Sequence, residues 1–513
     1  MEQATARDLR TFEATPPERA TWSVESPATG DKVADVTSAT HADVEAAVAR
    51  AREAQRAWAA LGFAERRKIL IAARAELVQR KDEVIDLLCA ETGKPRADAL
   101  TEIFALCDVI GYYAKHAEKM LRDQHFRPHL LANKKAIISY KPRGVVGVIS
   151  PWNFPVLLSY WDGMPAVIAG NACVIKPSEV TPLAVERTRD LLVAGGLPTD
   201  LLQVVQGKGD VGAWLIDEVD MICFTGSVAT GKKVMARAAE TLTPVQLELG
   251  GKDPMIVLKD ADLERAANAA VWGGLFHSGQ VCMSVERVYV EEPVAREFTA
   301  KVIEKVKQVR QGVERDAGQV DIGAMTFAPQ VEKIERHLAD AREKGAQIAV
   351  GGRARSDLPG RFFEPTVVTD VNHDMELMRD ETFGPVIPIM RVRDEEEALR
   401  LANDSPYGLS SSVFTRDKEH GVEIAKRIEA GTAVVNDCLI GAQITEVPFG
   451  GVKDSGIGGR NGPDFLKKYC HAQSIVVDRF GTKKEPNWYP TPAWVGKALD
   501  RGLRFFYGRK PRR

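Results

Sequence analysis

From Val145 onward short apolar runs alternate with helical stretches, and this alternation constrains the fold more than any other feature of the chain. "GVVGVIS", "ACVIKPS", "LLQVVQGKG" and "MICFTGS" read as buried strands, with helices at "MPAVIAGN", at Pro182 to Ala194 and after the last two strands. Strand–helix alternation with glycine-rich turns at the strand ends builds a parallel, doubly wound α/β sheet, which binds ligands beyond the carboxyl ends of its strands. A second α/β segment runs from about Gly250 to Asn436. Its strands are "DPMIVL", "ERVYVEE", "PTVVTDV", "PVIPIMRV" and "SSSVFT", and its helices lie near 261–278, 294–310 and 329–344. Ahead of both, Ala42 to about Arg122 carries apolar residues at three- and four-residue spacing, the mark of amphipathic helices. "KKAIISYKPRG" and "SIVVDRF" are further strands.

A chain of 513 residues is too long for one core, so two or three domains are expected. The formal net charge of -2 gives no overall attraction to nucleic acid, although the last thirty residues are basic. Seven cysteines are scattered with no CxxC pair and no Cys/His cluster at metal spacing; no metal site and no disulfide framework is expected, and a reducing, cytoplasmic setting fits. The first twenty residues lack the apolar segment of a signal peptide, and no run approaches the roughly 18 apolar residues of a membrane span.

Residues 207–212, "GKGDVG", match the dinucleotide pattern GxGxxG literally, between a strand and a helix. No acidic residue ends a following strand at the distance the simple fingerprint needs. The next strand instead ends in "FTGSVATG", where Gly226 and Gly231 also lead into a helix. Two adjacent glycine-rich turns can face one dinucleotide, because glycine lets backbone N–H groups approach phosphate. Either turn alone could be tight without a ligand.

Residues 276–284, "FHSGQVCMS", place one thiol behind a glycine and a polar residue. An isolated cysteine is most often a small packed hydrophobe. His277 suggests a Cys–His hydrolase, but nearness in sequence does not put a ring nitrogen on the sulfur, and His277 is read as structural or solvent-facing.

Seven stretches in register resemble the aldehyde dehydrogenase superfamily from roughly residue 20 to 480: "PWNFP" (151–155), "VIKPSE" (174–179), "FTGS" (224–227), "ELGGKDP" (248–254), "GQVC" (279–282), "ETFGP" (381–385) and "PFGG" (448–451). The resemblance implies an α/β fold in three parts. A doubly wound cofactor-binding domain takes 1–123 and 142–248, a second α/β domain at 249–445 is catalytic, and segments 124–141 and 470–480 form a small bridging sheet used in oligomerisation. Residues 481–513 are a basic C-terminal extension outside that pattern.

An aldehyde must become a tetrahedral adduct before it can lose hydride, and a thiolate both forms that adduct and lets it collapse to a thioester. Cys282 matches the family's nucleophile; the other six cysteines read as core. Asn153 matches the side-chain donor to the oxyanion, with the Cys282 N–H implied as the second donor. Glu248 matches the general base for water, and the Gly-Gly that follows it allows close packing and loop movement. Relatives that pass the acyl group to coenzyme A commonly lack this carboxylate, so its presence implies release of a free acid.

The resemblance carries the cofactor positions over in the same way. Lys176 and Glu179 fall at the adenosine ribose, and Gly226 and Ser227 at the pyrophosphate, bordered by Trp152. Glu381 and Phe383 fall at the nicotinamide ribose and ring, with Gln330 and Lys333 as further ribose contacts. Ser150, Gly209 and Leu249 complete the cofactor site. A glutamate at the ribose repels a 2′-phosphate, which favours NAD over NADP and leaves NADP as the alternative.

Phe154, Leu158, Trp161 and Phe449 match the walls of the family's substrate tunnel. The loop before "PFGG", "NDCLIGAQITEV", has no cation to meet a substrate carboxylate. An aliphatic or aromatic aldehyde is therefore favoured, whereas a similarity to a bacterial branch labelled succinate-semialdehyde dehydrogenase-like points to that semialdehyde. A homodimer or homotetramer is expected. In 481–513 an apolar helical face meets a basic one, suiting either an anionic membrane surface or packing within the oligomer. The rival readings are a cofactor-independent thiol esterase and a non-catalytic binding protein.

Overall fold

The computed structural model describes residues 19–314 and 318–508. They fall into two compact units, one including Pro142–His471 and the chain before residue 122, the other including Arg122–Lys141 and the chain after His471.

The larger unit opens with a hairpin, Thr21–Glu25 against Lys32–Thr37, and four helices between His41 and Leu121. Its first large sheet has six strands in the order Gly456–Ile457, Val245–Glu248, Met221–Thr225, Val145–Ile149, Ala172–Lys176, Leu202–Val204; all are parallel except Gly456–Ile457. Val145–Ile149 comes first in the chain yet lies between the second and the fourth strand of this sheet. The winding reverses there, opening a crevice at the carboxyl ends of Val145–Ile149 and Met221–Thr225.

The second sheet has seven strands in the order Gln347–Val350, Thr366–Thr369, Val386–Val392, Val285–Glu291, Asp253–Val257, Ser410–Phe414, Thr432–Val435, parallel except for Gln347–Val350. Only Leu249–Lys252 separate the end of Val245–Glu248 from the start of Asp253–Val257. The carboxyl edge of the first sheet thus runs directly into the amino edge of the second, and Cys282, just ahead of Val285–Glu291, belongs to that second edge.

Several boundaries differ from the sequence reading. The helix expected at "MPAVIAGN" begins at Pro155, so Leu158 and Trp161 are helical. No side chain near its start caps it; Glu102 does so from a distant helix, accepting the Val156 and Leu157 N–H groups at 3.1 and 3.0 Å. The helix expected to reach 278 stops at Leu275, and the one expected to reach 310 stops at Val306. Val245–Glu248, Gln347–Val350 and Thr432–Val435 are four-residue strands, too short for a period to announce them.

The smaller unit holds the helix Ala493–Tyr507 and all but Pro142, Cys470 and His471 of a three-stranded sheet ordered Cys470–Asp478, Lys134–Pro142, Gln124–Phe126. Nearly all of the edge strand Cys470–Asp478 is exposed. Among the described residues no helix is long and apolar enough to cross a membrane. Arg509, Lys510, Arg512 and Arg513 lie outside the described residues.

Candidate active site

The crevice at the reversal point is a cavity of about 800 Å³, within the range of cofactor and ligand sites. Ser150, Trp152 and Asn153 line it from the end of the first strand, Lys176 and Glu179 from the second, and Gly226 and Ser227 from the fourth. Gly209, Leu249, Cys282, Gln330, Lys333, Glu381 and Phe383 complete the wall. Every residue expected at the cofactor therefore shares one cavity with the expected nucleophile and oxyanion donor.

The glycine turns divide their labour. The literal GxGxxG follows the third strand of the sheet, not the first. Gly207 has φ +157, and a Cβ there would lie 2.1 Å from Val211 Cγ2, so this glycine serves the turn. A Cβ on Gly209 would meet nothing within 4 Å, which leaves a bare backbone on the cavity wall. Ser227 caps the helix Val228–Glu240, its Oγ accepting the Thr230 N–H at 3.3 Å. That helix start, at the switch point, suits an anion.

Two buried ion pairs hold the walls. Lys252 Nζ lies 2.6 Å from Glu286, whose carboxylate accepts the Thr382 and Phe383 N–H groups at 2.6 and 2.7 Å. This anchors the "ETFGP" loop with Phe383 in the left-handed region at φ 55 and edge-on to Trp152, 5.4 Å between centroids. Gln330 donates to the Thr382 carbonyl. Glu381 accepts the Gly251 N–H at 3.0 Å, and burial, reinforced by the Glu286 charge, pushes its carboxyl up to about 7. In the second pair Lys94 Nζ reaches Glu102 at 2.5 Å and the Asn153 carbonyl at 2.7 Å. The Asn153 amide donates to the Gln280 carbonyl at 2.9 Å, tying it to the cysteine loop.

That loop is strained. His277 and Ser278 have φ of 48 and 55, each costing about 1–3 kcal/mol for a side chain other than glycine. Gly279 follows at φ +71, and its Cβ would lie 2.1 Å from the Gly384 carbonyl oxygen. Ser278 Oγ donates to the Gly323 carbonyl at 2.9 Å, helping to hold the turn. His277 is buried with its ring edge-on to Phe154 at 5.3 Å; burial, then the Lys94 charge, hold it well below the usual histidine range.

Burial pushes the Cys282 thiol up to about 12, and the Glu248, Asp253 and Glu381 carboxylates act in the same direction. Glu248 ends its strand 3% exposed, and its Oε1 has no hydrogen-bond partner. It is not among the residues lining the cavity and stands instead against Gly450, whose Cβ would lie 3.2 Å from that oxygen. Burial lifts Glu248 to about 7, although the Arg460 charge pulls it back. The Gly-Gly after Glu248 is a packing requirement: a Cβ on Gly250 would sit 2.7 Å from Glu381 Oε1, and one on Gly251 2.3 Å from the Cys282 carbonyl oxygen.

The four expected tunnel residues are held by different contacts. Leu158 lines the cavity. Trp161 stacks on Phe449 at 5.9 Å with planes 8° apart and donates from Nε1 to Asn461 at 2.9 Å. Phe154 stacks on Phe276 and carries the Lys94 ammonium 4.2 Å above its ring. The sequence reading missed the buried Asp162–Arg460 pair behind Glu248. Its signal was one acidic residue inside the apolar run "LLSYWDGMPAVI", since a charge in such a helix requires a cation.

The aldehyde dehydrogenase family model matches residues 14–475. A Mycolicibacterium smegmatis protein named "Putative succinate-semialdehyde dehydrogenase (NADP(+))" is 41% identical over 458 residues, 89% of this chain and 88% of that one. The 4,4'-diapolycopene aldehyde oxidase of a Methylomonas species is 39% identical over 469 residues, 91% of this chain and 87% of that one. Among solved structures, Staphylococcus aureus betaine aldehyde dehydrogenase in complex with NAD+ superposes with a TM-score of 0.86 at 33% identity, over 92% of this chain and 94% of that one. The chain belongs to the aldehyde dehydrogenase family and is an NAD(P)-dependent oxidoreductase that acts on aldehydes.

Proposed function

We propose that the chain oxidises an apolar aldehyde to the free carboxylic acid through a Cys282 thioester, with NAD preferred. The observation that carries this is the meeting of Cys282, Asn153 and the expected cofactor residues on one cavity, with the Glu248 carboxyl, its Oε1 unpartnered, behind it.

The residues fit a dinucleotide. Gly209 leaves bare backbone on the wall, Ser227 opens a helix toward phosphate, and Glu381 offers a half-buried carboxyl. Glu179, its side chain 42% exposed and 3.3 Å from Lys176 Nζ, would take the ribose hydroxyls and disfavour a 2′-phosphate. The Staphylococcus aureus relative holds NAD+, whereas the mycobacterial name specifies NADP, so the preference rests on Glu179. When bound, the nicotinamide supplies the acceptor for hydride.

Cys282 Sγ adds to the carbonyl carbon as its proton passes to solvent in the cavity. The resulting oxyanion lies within reach of the Asn153 amide and the Cys282 N–H. Loss of hydride restores the carbonyl as a thioester. Glu248, titrating near neutrality, takes a proton from water; the hydroxyl oxygen attacks the acyl carbon, the C–S bond breaks, and the acid leaves with the thiol regenerated. The six-stranded sheet is the cofactor half and the seven-stranded sheet the catalytic half.

The substrate reading rests on the loop 436–447, which has no lysine or arginine, and on the aromatic Trp161–Phe449 pair. The Methylomonas relative, named for 4,4'-diapolycopene aldehyde, agrees with it, and the mycobacterial name argues for the semialdehyde. The bare edge strand Cys470–Asp478, with Val476 65% exposed, supports a homo-oligomer, since open strand edges invite pairing. A kcat/KM comparison of hexanal, benzaldehyde and succinic semialdehyde with NAD and with NADP tests the assignment. Preference for the semialdehyde overturns the substrate, and undiminished turnover in Cys282→Ser overturns the mechanism.

A further inference from the structure

The chain beyond residue 475 lies outside the family match, and the chemistry above makes no use of it. Residues 481–513 hold nine lysines and arginines against two acidic residues, in a chain whose net charge is -2. The described part ends in the helix Ala493–Tyr507. Val495, Leu499, Leu503 and Phe506 recur at four, four and three residues, which puts them on one stripe. Val495 is buried, but Leu499 is 70% exposed, Leu503 65% and Phe506 64%. Tyr507 flanks the stripe, Trp494 and Phe505 border the cationic arc, and all three are exposed. At 100° per residue Lys497, Arg501 and Arg504 fall on the opposite arc.

An amphipathic helix of a globular protein normally turns its apolar stripe to a core. Here leucines and aromatic rings face outward beside a cationic arc, which is the composition of a helix that lies in a membrane interface. A second copy of the tail brings the same excess of positive charge and repels the first. An anionic bilayer offers the opposite charge at the arc and hydrocarbon at the stripe.

We propose that the helix Ala493–Tyr507 lies on an anionic phospholipid surface, with Leu499, Leu503 and Phe506 among the acyl chains and Arg501 and Arg504 at the phosphates. The helix does not span the bilayer; it holds the enzyme at a surface where apolar aldehydes partition. The test is flotation of the full-length protein with vesicles of phosphatidylcholine mixed with phosphatidylglycerol, and of phosphatidylcholine alone, at low and high salt. The unaltered protein floats with the mixed vesicles at low salt and is released by high salt. In Leu499→Glu/Leu503→Glu the bound fraction falls on the order of tenfold or more while aldehyde oxidation in solution is unchanged. Arg501→Gln/Arg504→Gln also weakens binding and flattens its salt dependence. The proposal fails if the unaltered protein does not float, or if Leu499→Glu/Leu503→Glu floats equally well. It fails too if that variant loses mass by light scattering while neither protein floats, because the stripe is then a contact between copies.

Discussion

Arg460 grips Asp162 with two nitrogens: Nε and Nη2 reach Oδ2 at 3.0 and 2.7 Å, and the two side chains are 2% and 1% exposed. The pair ties the helix Pro155–Ile168 to the glycine-rich chain after Phe449, and Arg460 also acts on Glu248. Replacing one partner leaves a buried charge without its counterion. Arg460→Met should therefore lose about 3–5 kcal/mol in urea unfolding, and adding Asp162→Asn should restore part of it. A single-variant loss below about 1 kcal/mol would show that Lys468 and Tyr469, which also reach Asp162, suffice.

Glu248 is raised to about 7, so it is protonated, and useless as a base, on the acid side of that value. Turnover should climb as pH rises through about 7 and then level. Glu248→Gln should remove this climb and cut steady-state turnover on the order of 10²–10⁴-fold, while leaving a first burst of reduced nicotinamide. Stopped-flow absorbance separates the two phases; loss of the burst along with the steady rate would assign Glu248 to the first chemical step instead.

At Glu179 the expected change is in cofactor choice. Glu179→Ala removes the charge that would oppose a 2′-phosphate, and the NADP to NAD ratio of kcat/KM should rise on the order of tenfold or more. An unchanged ratio means that selection lies elsewhere on the cavity wall.

Two glycines should answer differently to one methyl group. Gly251→Ala drives a Cβ against the Cys282 carbonyl oxygen, and backbone on both sides cannot yield cheaply; a loss of about 1–3 kcal/mol or more and a collapse of kcat are expected. Gly209→Ala meets nothing within 4 Å, so thermal stability should hold while the KM for the dinucleotide rises. Equal melting temperatures for both variants would contradict this reading.

What could be read from the chain was whatever repeats locally. The strand ends at Ser150, Lys176 and Thr225 followed from apolar runs closed by glycine or proline, and the motif residues they carry do line one cavity. What depends on distant partners stayed hidden. The start of the helix at Pro155 is set by Glu102, and the end of the helix at Leu275 by a left-handed turn without glycine at His277 and Ser278. Glu248 was singled out by its motif, but that it stands against Gly450 and outside the cavity wall depends on contacts across many intervening residues.

The strand Gly456–Ile457 pairs with Val245–Glu248 and forms one edge of the six-stranded sheet, although every strand of the seven-stranded sheet precedes it in the chain. During synthesis the backbone edge that carries Glu248 therefore stays open until the whole second half has left the ribosome. A chain that stops before residue 456 lacks the strand that covers this edge, and open strand edges invite pairing.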